Sequence, residues 1–109
     1  MSHTAPLRAA RRIAGGALAG CWLAALPAAA ADPQQGALRY RTHCAPCHGD
    51  NGRPVMPMAP DFTRPAALLK PDLALLEAIR SGRGAMPAYA GILRDREILD
   101  VVAHLRTLR

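Results

Sequence analysis

Aromatic residues are scarce in this chain, and only three of them follow residue 31. Trp, Tyr and Phe make up 4% of the 109 residues. From residue 32 onward there is no Trp, and Tyr40, Phe62 and Tyr89 are the only aromatics of these types. A chain this short buries a thin core, and domains of that size usually need a metal, a disulfide or another staple. The composition therefore predicts that something besides side chains completes the core.

Three further patterns are missing, and each absence argues against a class of protein. No segment alternates polar and apolar residues with a period of two, which favours an all-α domain. No βαβ pattern surrounds the cysteines, as a thioredoxin-like dithiol enzyme would require. The formal net charge is +6, but Lys and Arg form neither a block nor a stripe interleaved with aromatics. We therefore expect no nucleic-acid binding.

The first 31 residues have the pattern of a secretory signal peptide. A basic start, an uncharged apolar run and a group of small residues follow one another, at positions 8–12, 13–26 and 27–31. Small residues of the A-x-A kind precede signal cleavage sites, so we expect a cut between Ala31 and Asp32. Cleavage would release residues 32–109 as a single domain into the periplasm.

Other interpretations of this segment stay open. An uncleaved apolar run would be barely long enough to span a bilayer. Leu18-Ala19-Gly20-Cys21 resembles a lipobox, which would make Cys21 a lipidated residue. The adjacent Arg11 and Arg12 suggest a twin-arginine signal, although the residues after them fit that motif poorly. Membrane attachment is expected only if the segment is retained or Cys21 is lipidated.

Residues 44–48 form the most specific motif of the chain, Cys-Ala-Pro-Cys-His. Two cysteines separated by two residues and followed by histidine are the attachment pattern of a c-type haem. The two thiols add to the two vinyl groups of one porphyrin, and the next residue lies beneath the iron. We therefore expect one haem c bound covalently through Cys44 and Cys47, with His48 as an axial ligand. A zinc site would need two further ligands at short spacing, and Cys21 lies in the removable segment.

The first predicted helix leads into this motif. Asp32 is a suitable N-cap with Pro33 at the first helical position, and the helix is expected to run to about Cys44. Glycines at 49 and 52 then supply turn chemistry. Four prolines between residues 53 and 65 exclude a regular helix there, so an extended loop is predicted.

Two more helices are predicted in the second half of the chain. The first spans residues 72–81, with Pro71 at its first position and Gly82 after its end. Its apolar side is predicted to contain leucines and an isoleucine, at 73, 75, 76 and 79. The last helix begins at residue 94 or 95 and continues to about Leu108, with an amphipathic stripe at 98, 101, 102, 105 and 108.

With its motifs in this order, the chain resembles the class I monohaem cytochrome c family in its bacterial, periplasmic form. The resemblance covers residues 32–109 and depends on the haem motif and a few segments around it: Gly36, Tyr40, 44–49, 59–62, 86–89 and the closing helix. It implies an all-α cytochrome c fold, with three main helices and long loops wrapped around one covalent haem. It also implies that the first and last helices cross closely at Gly36, with His104 where an aromatic is usual.

The resemblance further implies how the iron is held. His48 would be the proximal ligand, and the backbone carbonyl of Pro60 would accept a hydrogen bond from its second ring nitrogen. Met86 is predicted to be the other axial ligand, because it follows a helix stop and two glycines and begins a Met-Pro signature. A thioether ligand is expected to raise the reduction potential.

Other residues remain candidates for related roles. Met56 and Met58 could also reach the iron, but they are expected to pack in the proline-rich loop on the His48 side. His43 and His104 are weaker candidates, and His104 is expected to be a packed residue with its polar edge at the surface. Three arginines could pair with the haem propionates or remain solvated: Arg53, Arg64 and Arg83.

Filled axial positions bear on the function. With His48 and Met86 both bound, no site is open to dioxygen or peroxide, so electron transfer is favoured over catalysis. We expect a periplasmic electron carrier, not an enzyme, that cycles between Fe(III) and Fe(II) and docks weakly with redox partner proteins. The alternative is a dedicated cytochrome c subunit of a periplasmic dehydrogenase or oxidase complex. A haem enzyme or gas sensor would require Met86 to leave the iron.

Overall fold

A computed structural model of the chain describes residues 1–25 and 29–109. Residues 1–25 form no helix or strand and are exposed throughout. Within the described ranges, no helix combines the length and the apolar character needed to cross a membrane. The predicted signal segment includes residues 26–28, which lie outside the described residues.

The fold is built from helices, as predicted. The α-helices are α1 (Pro33–His43), α2 (Ala45–His48), α3 (Asp72–Ser81) and α4 (Asp95–Leu105). A short 3-10 helix covers Pro65–Leu68. The described part of the chain contains no strand, only an isolated bridge between Arg83 and Met86. The all-α prediction is therefore confirmed, with α1, α3 and α4 as the three main helices.

Helix α1 begins where its capping residues predict. The Asp32 carboxylate accepts hydrogen bonds from the backbone N–H groups of Gln34 and Gln35, at 2.9 and 3.2 Å. Pro33 occupies the first helical position, where its missing N–H needs no partner. Helix α2 was not predicted: it follows α1 across Cys44 and is only four residues long. A single turn is too short to show helical periodicity in the sequence.

Helices α3 and α4 differ from the prediction in detail. Helix α3 has the predicted bounds, but Pro71 is its N-cap rather than its first residue. Leu73 is 71% exposed, so its placement on the apolar side is wrong. Helix α3 contacts the core through Leu76 and Ile79. Leu73, in the first turn of the helix, is not part of this contact. Helix α4 ends at Leu105 instead of about Leu108, because the chain closes into a turn there.

Helices α1 and α4 cross in direct backbone contact at Gly36. A Cβ atom built on Gly36 would overlap the backbone carbonyl of Asp100 and lie 2.9 Å from the backbone nitrogen of Val101. Any side chain at this position would push the two helices apart. The predicted close crossing is confirmed.

Two clusters of buried side chains make up the core, and α4 contributes to both. The motif-side cluster consists of residues on α1, α2, α4 and the intervening loop: Tyr40, Cys44, Ala45, Phe62, Leu68, Val101 and Leu105. The methionine-side cluster consists of residues on α3, α4 and the loop between them: Leu76, Ile79, Tyr89, Leu93, Ile98 and Val102. Met86 packs against the second cluster. Helix α4 thus holds the two halves of the domain together.

Candidate haem site

The two motif cysteines lie at the junction of α1 and α2. Cys44 is 9% exposed and Cys47 is half-buried. Burial raises the pKa of Cys44 to about 11, and the nearby Cys47 adds to the shift. A buried, protonated thiol is a poor nucleophile.

His48 ends α2 in a buried position beside Phe62. Its side chain is almost enclosed, at 8% exposure, and the two rings stack with centroids 4.7 Å apart. Burial lowers the pKa of His48, which favours the neutral imidazole that binds metals. Nδ1 is buried and has no hydrogen-bond partner among the described residues. Buried polar atoms rarely lack a partner, so Nδ1 needs a nearby acceptor, and the other ring nitrogen is left for a ligand role.

The Pro60 carbonyl lies close to the same ring. It opposes the lowering of the His48 pKa, as a nearby hydrogen-bond acceptor does. The contact nevertheless falls short of hydrogen-bond geometry, and Nδ1 has no partner among the residues that the structure describes. The proposed donation from His48 to Pro60 therefore stays a prediction.

The turn after His48 is fixed by a hydrogen bond that the sequence analysis missed. The fully buried Tyr40 hydroxyl donates to the Gly49 carbonyl at 2.6 Å. Burial, followed by the nearby Cys44, raises the pKa of Tyr40 to about 12, so the hydroxyl keeps its proton. Gly49 has φ +77°, and a Cβ there would overlap the Arg53 carbonyl. A buried Tyr hydroxyl usually has a hydrogen-bond partner, so a Tyr at a predicted core position indicates that an acceptor lies nearby.

The proline-rich loop is attached to the motif through its backbone. The N–H groups of Val55 and Met56 both donate to the Cys47 carbonyl at 3.0 Å, and Phe62 N–H donates to Gly52 at 2.9 Å. Met58 is 91% exposed and Met56 is also exposed. The expectation of packing is therefore wrong for Met58, where backbone bonds rather than the side chain hold the loop, whereas Met56 is 38% exposed and remains partly covered.

Met86 lies half-buried in the loop between α3 and α4. Arg83 and Met86 exchange two backbone hydrogen bonds, at 3.1 and 2.8 Å. Gly82 has φ +74°, and a Cβ there would lie 2.7 Å from the Met86 carbonyl. The Tyr89 hydroxyl donates to the backbone carbonyl of His43 at 2.7 Å. This bond joins the methionine loop to the residue that precedes Cys44.

The remaining candidates occupy simpler environments. The His104 ring lies 5.0 Å from that of Tyr40, and burial, with a smaller effect from Arg41, lowers the pKa of His104. It therefore packs where an aromatic was expected. His43 contacts Tyr89 edge to face at 5.9 Å. The three propionate candidates, Arg53, Arg64 and Arg83, are all exposed.

The donor set suits a haem c better than a metal cage. The haem motif and the methionine loop offer two thiols, a buried imidazole and a thioether. Among the residues that the structure describes, no three His, Cys, Asp or Glu side chains are grouped to hold a metal ion. The buried imidazole and the sulfur donors fit a porphyrin iron.

Comparison with known proteins agrees with this chemistry. Residues 31–105 match the family described as "Cytochrome C oxidase, cbb3-type, subunit III". The chain is 38% identical to a cytochrome c6 of Picosynechococcus sp. over 91 residues, 72% of this chain and 75% of the relative. It is also 38% identical to a cytochrome c6 of Thermosynechococcus vestitus over 84 residues, 72% of this chain and 73% of the relative. For a cytochrome c6 of Tetradesmus obliquus the identity is 33% over 82 residues, 69% of this chain and 89% of the relative.

These matches, together with the fold and the motif, define a class of protein. The chain belongs to the class I monohaem cytochrome c family. It is a haem-based electron-transfer protein with a covalently attached haem c, and it is a carrier rather than an enzyme. Its partners are redox proteins. The zinc and thioredoxin-like interpretations are thereby excluded.

Proposed function

We propose that this protein carries electrons in the periplasm by means of a haem c linked to Cys44 and Cys47, with His48 and Met86 as the axial ligands. The bond from Tyr89 to His43 is the observation that carries this proposal. It attaches the loop that contains Met86 to the end of the helix that leads into the haem motif, with a donor distance of 2.7 Å. The imidazole of His48 therefore lies on the haem motif, and the thioether of Met86 lies on a loop that is hydrogen-bonded to the residue before that motif.

The chain's own residues have separable tasks in this arrangement. Cys44 and Cys47 would hold the haem, and the buried apolar side chains around the motif would limit the access of water to it. The Pro60 carbonyl is the proposed acceptor for His48 Nδ1–H, which would orient the ring and increase its basicity. When bound, the haem supplies a one-electron Fe(III)/Fe(II) couple, and a thioether ligand raises its potential.

The axial ligation can be tested with two methionine variants. Met86→Ala should abolish the thioether-to-iron charge-transfer band of the oxidised protein and open the ferrous form to rapid carbon monoxide binding. Met58→Ala is the matched control, since Met58 is 91% exposed and should leave the band unchanged. A band that survives in Met86→Ala, or that disappears in Met58→Ala, would exclude the assignment.

A second candidate function comes from the family match. The matched family is described as a subunit of a cbb3-type cytochrome c oxidase, whereas the relatives are each named cytochrome c6. A dedicated subunit of a periplasmic oxidase or dehydrogenase would co-purify with a catalytic partner through several columns. A diffusible carrier, which we favour, would elute as an isolated monomer and exchange electrons with more than one partner.

The location is part of the proposal. Residues 1–31 have the charge and hydropathy pattern of a signal peptide, and we propose that the cut lies between Ala31 and Asp32. The intact mass of the protein recovered from the periplasm gives its first residue directly. A product that retains residues 1–31, or that carries a lipid on Cys21, would contradict the proposed release.

A further inference from the structure

Asp100 is a buried carboxylate whose closest partner is the start of α1. The residue lies on α4 and is 6% exposed. The backbone nitrogen of Asp32 donates to its Oδ1 at 2.8 Å. A buried carboxylate is costly unless cations and hydrogen bonds compensate its charge. The partners of Asp100 therefore contribute to how strongly α1 is held to α4.

The two arginines near Asp100 are engaged elsewhere. Arg39 lies 3.9 Å from Oδ2 but donates to Glu97 at 3.1 Å. The Nε of Arg96 is 3.6 Å from Oδ1, while its two terminal nitrogens donate to the backbone carbonyls of residues 29 and 30 at 2.8 and 2.7 Å. Both guanidinium groups thus form only long ion pairs with Asp100, at 3.9 and 3.6 Å. In the uncut chain, its best donor is thus a neutral peptide N–H.

We propose that Asp100 is the binding site for the α-ammonium group of Asp32, which signal cleavage would create. This inference rests on the proposed cut between Ala31 and Asp32. Hydrolysis adds water to that peptide bond: the carboxylate leaves with residues 1–31, and the amine stays on Asp32 and takes up a proton. The nitrogen that already lies 2.8 Å from Oδ1 becomes a cation in the same place.

Processing then strengthens the central crossing of the domain. Charge-assisted hydrogen bonds are roughly twice as strong as hydrogen bonds between neutral groups. Asp32 is also the N-cap of α1, and its carbonyl accepts from Gly36 N–H at 2.9 Å. The new ion pair is therefore attached to the turn that contains Gly36. Arg96 loses its contacts to the departing residues 29 and 30 and becomes available to Asp100 as well.

The sequence offers an unusually clean chemical probe. Lys70 is the only lysine of the chain, and it is exposed. In exported Lys70→Arg holoprotein, the α-amine is the only primary amine left. Its acetylation rate at neutral pH, followed by intact mass, reports how far the amine is protected by pairing.

We expect the added substitution Asp100→Asn to accelerate acetylation about tenfold, the factor that corresponds to one pKa unit. Asp95→Asn, an exposed change on the same helix, should leave the rate unchanged. A second measurement needs no change at Asp100: acetylating the α-amine of Lys70→Arg protein should lower its Tm by about 5 °C.

The outcomes separate this inference from the proposed function. A first residue other than Asp32, an equal rate in Asp100→Asn, or an unchanged Tm after acetylation would overturn the ammonium site. Each of these results would leave the haem spectrum and electron transfer intact. A protein that begins at Asp32 with a protected amine but lacks haem would overturn the proposed function and leave the ammonium site supported.

Discussion

The two core clusters hold their proposed iron ligands in different ways. On the motif side, His48 is 8% exposed, stacks on Phe62 and is followed by a turn that the buried Tyr40 hydroxyl fixes. On the methionine side, Met86 is half-buried in a loop whose neighbouring residues are exposed. Backbone bonds and the Tyr89 hydroxyl hold that loop. Stability is not uniform across a fold, and we therefore expect the methionine side to open first.

The largest expected effect comes from the point that both clusters share. Gly36→Ala should destabilise the domain by about 3 kcal/mol, because the added methyl group overlaps the Asp100 carbonyl and separates α1 from α4. Helix propensity alone would make Gly36→Ala more stable by about 1 kcal/mol. A loss of unfolding free energy would therefore be due to the steric overlap at the crossing. Denaturant unfolding of the holoprotein measures it.

The matched control for this substitution lies on the opposite face of α1. Leu38 is 53% exposed, and Leu38→Ala should change the unfolding free energy by no more than about 0.5 kcal/mol. If Gly36→Ala were as stable as the parent protein, the close crossing would not be a feature of the folded state.

A pair of identical substitutions compares the two sides directly. Tyr40→Phe removes a fully buried hydroxyl and leaves the Gly49 carbonyl without its donor. The expected loss of stability is about 2 kcal/mol. The methionine band should persist, since the change is on the histidine side. If Tyr40→Phe lost the methionine band and kept the stability of the parent protein, the comparison between the two sides would be contradicted.

Tyr89→Phe makes the same chemical change on the other side with a smaller cost. Its bond to the His43 carbonyl is only partly buried, so we expect a loss of about 1 kcal/mol. The methionine loop should open more often, and added imidazole should displace the sixth ligand faster than in Tyr40→Phe. Equal displacement rates in the two variants would mean that this hydroxyl does not hold the loop.

The smallest effect concerns acid stability at the edge of the crossing. Hydrogen bonds from Arg94 and Arg39 hold the pKa of Glu97 below its usual value of 4.5. A carboxylate with a lowered pKa stabilises the fold above its ordinary value, and this contribution disappears as the pH falls through the folded-state pKa. Parent protein should therefore lose stability more steeply below pH 4.5 than Glu97→Gln. Thermal unfolding across that range tests it, and parallel curves would exclude the contribution.

The sequence predicted the parts of the fold that depend on local chemistry. The start of α1 follows from Asp32 and Pro33, whereas the close crossing at Gly36 was expected from the family resemblance. It did not predict α2 or the early end of α4, because one helical turn has no measurable period and an apolar stripe can continue into a turn.

The site shows the same division. The CxxCH motif predicts roles for Cys44, Cys47 and His48 because the chemistry demands their spacing. The supporting hydroxyl bonds of Tyr40 and Tyr89 connect residues 9 and 46 positions apart, respectively. Such contacts depend on how the helices pack, so they cannot be read from local pattern alone. The exposed Met58 likewise reflects a loop held by its backbone.

Intact mass spectrometry of the exported protein under denaturing conditions tests the central claim most directly. A haem joined through Cys44 and Cys47 must survive denaturation, so the account predicts the mass of one chain plus one haem, with neither motif thiol open to alkylation. Free thiols at both positions and no added macrocycle would contradict it.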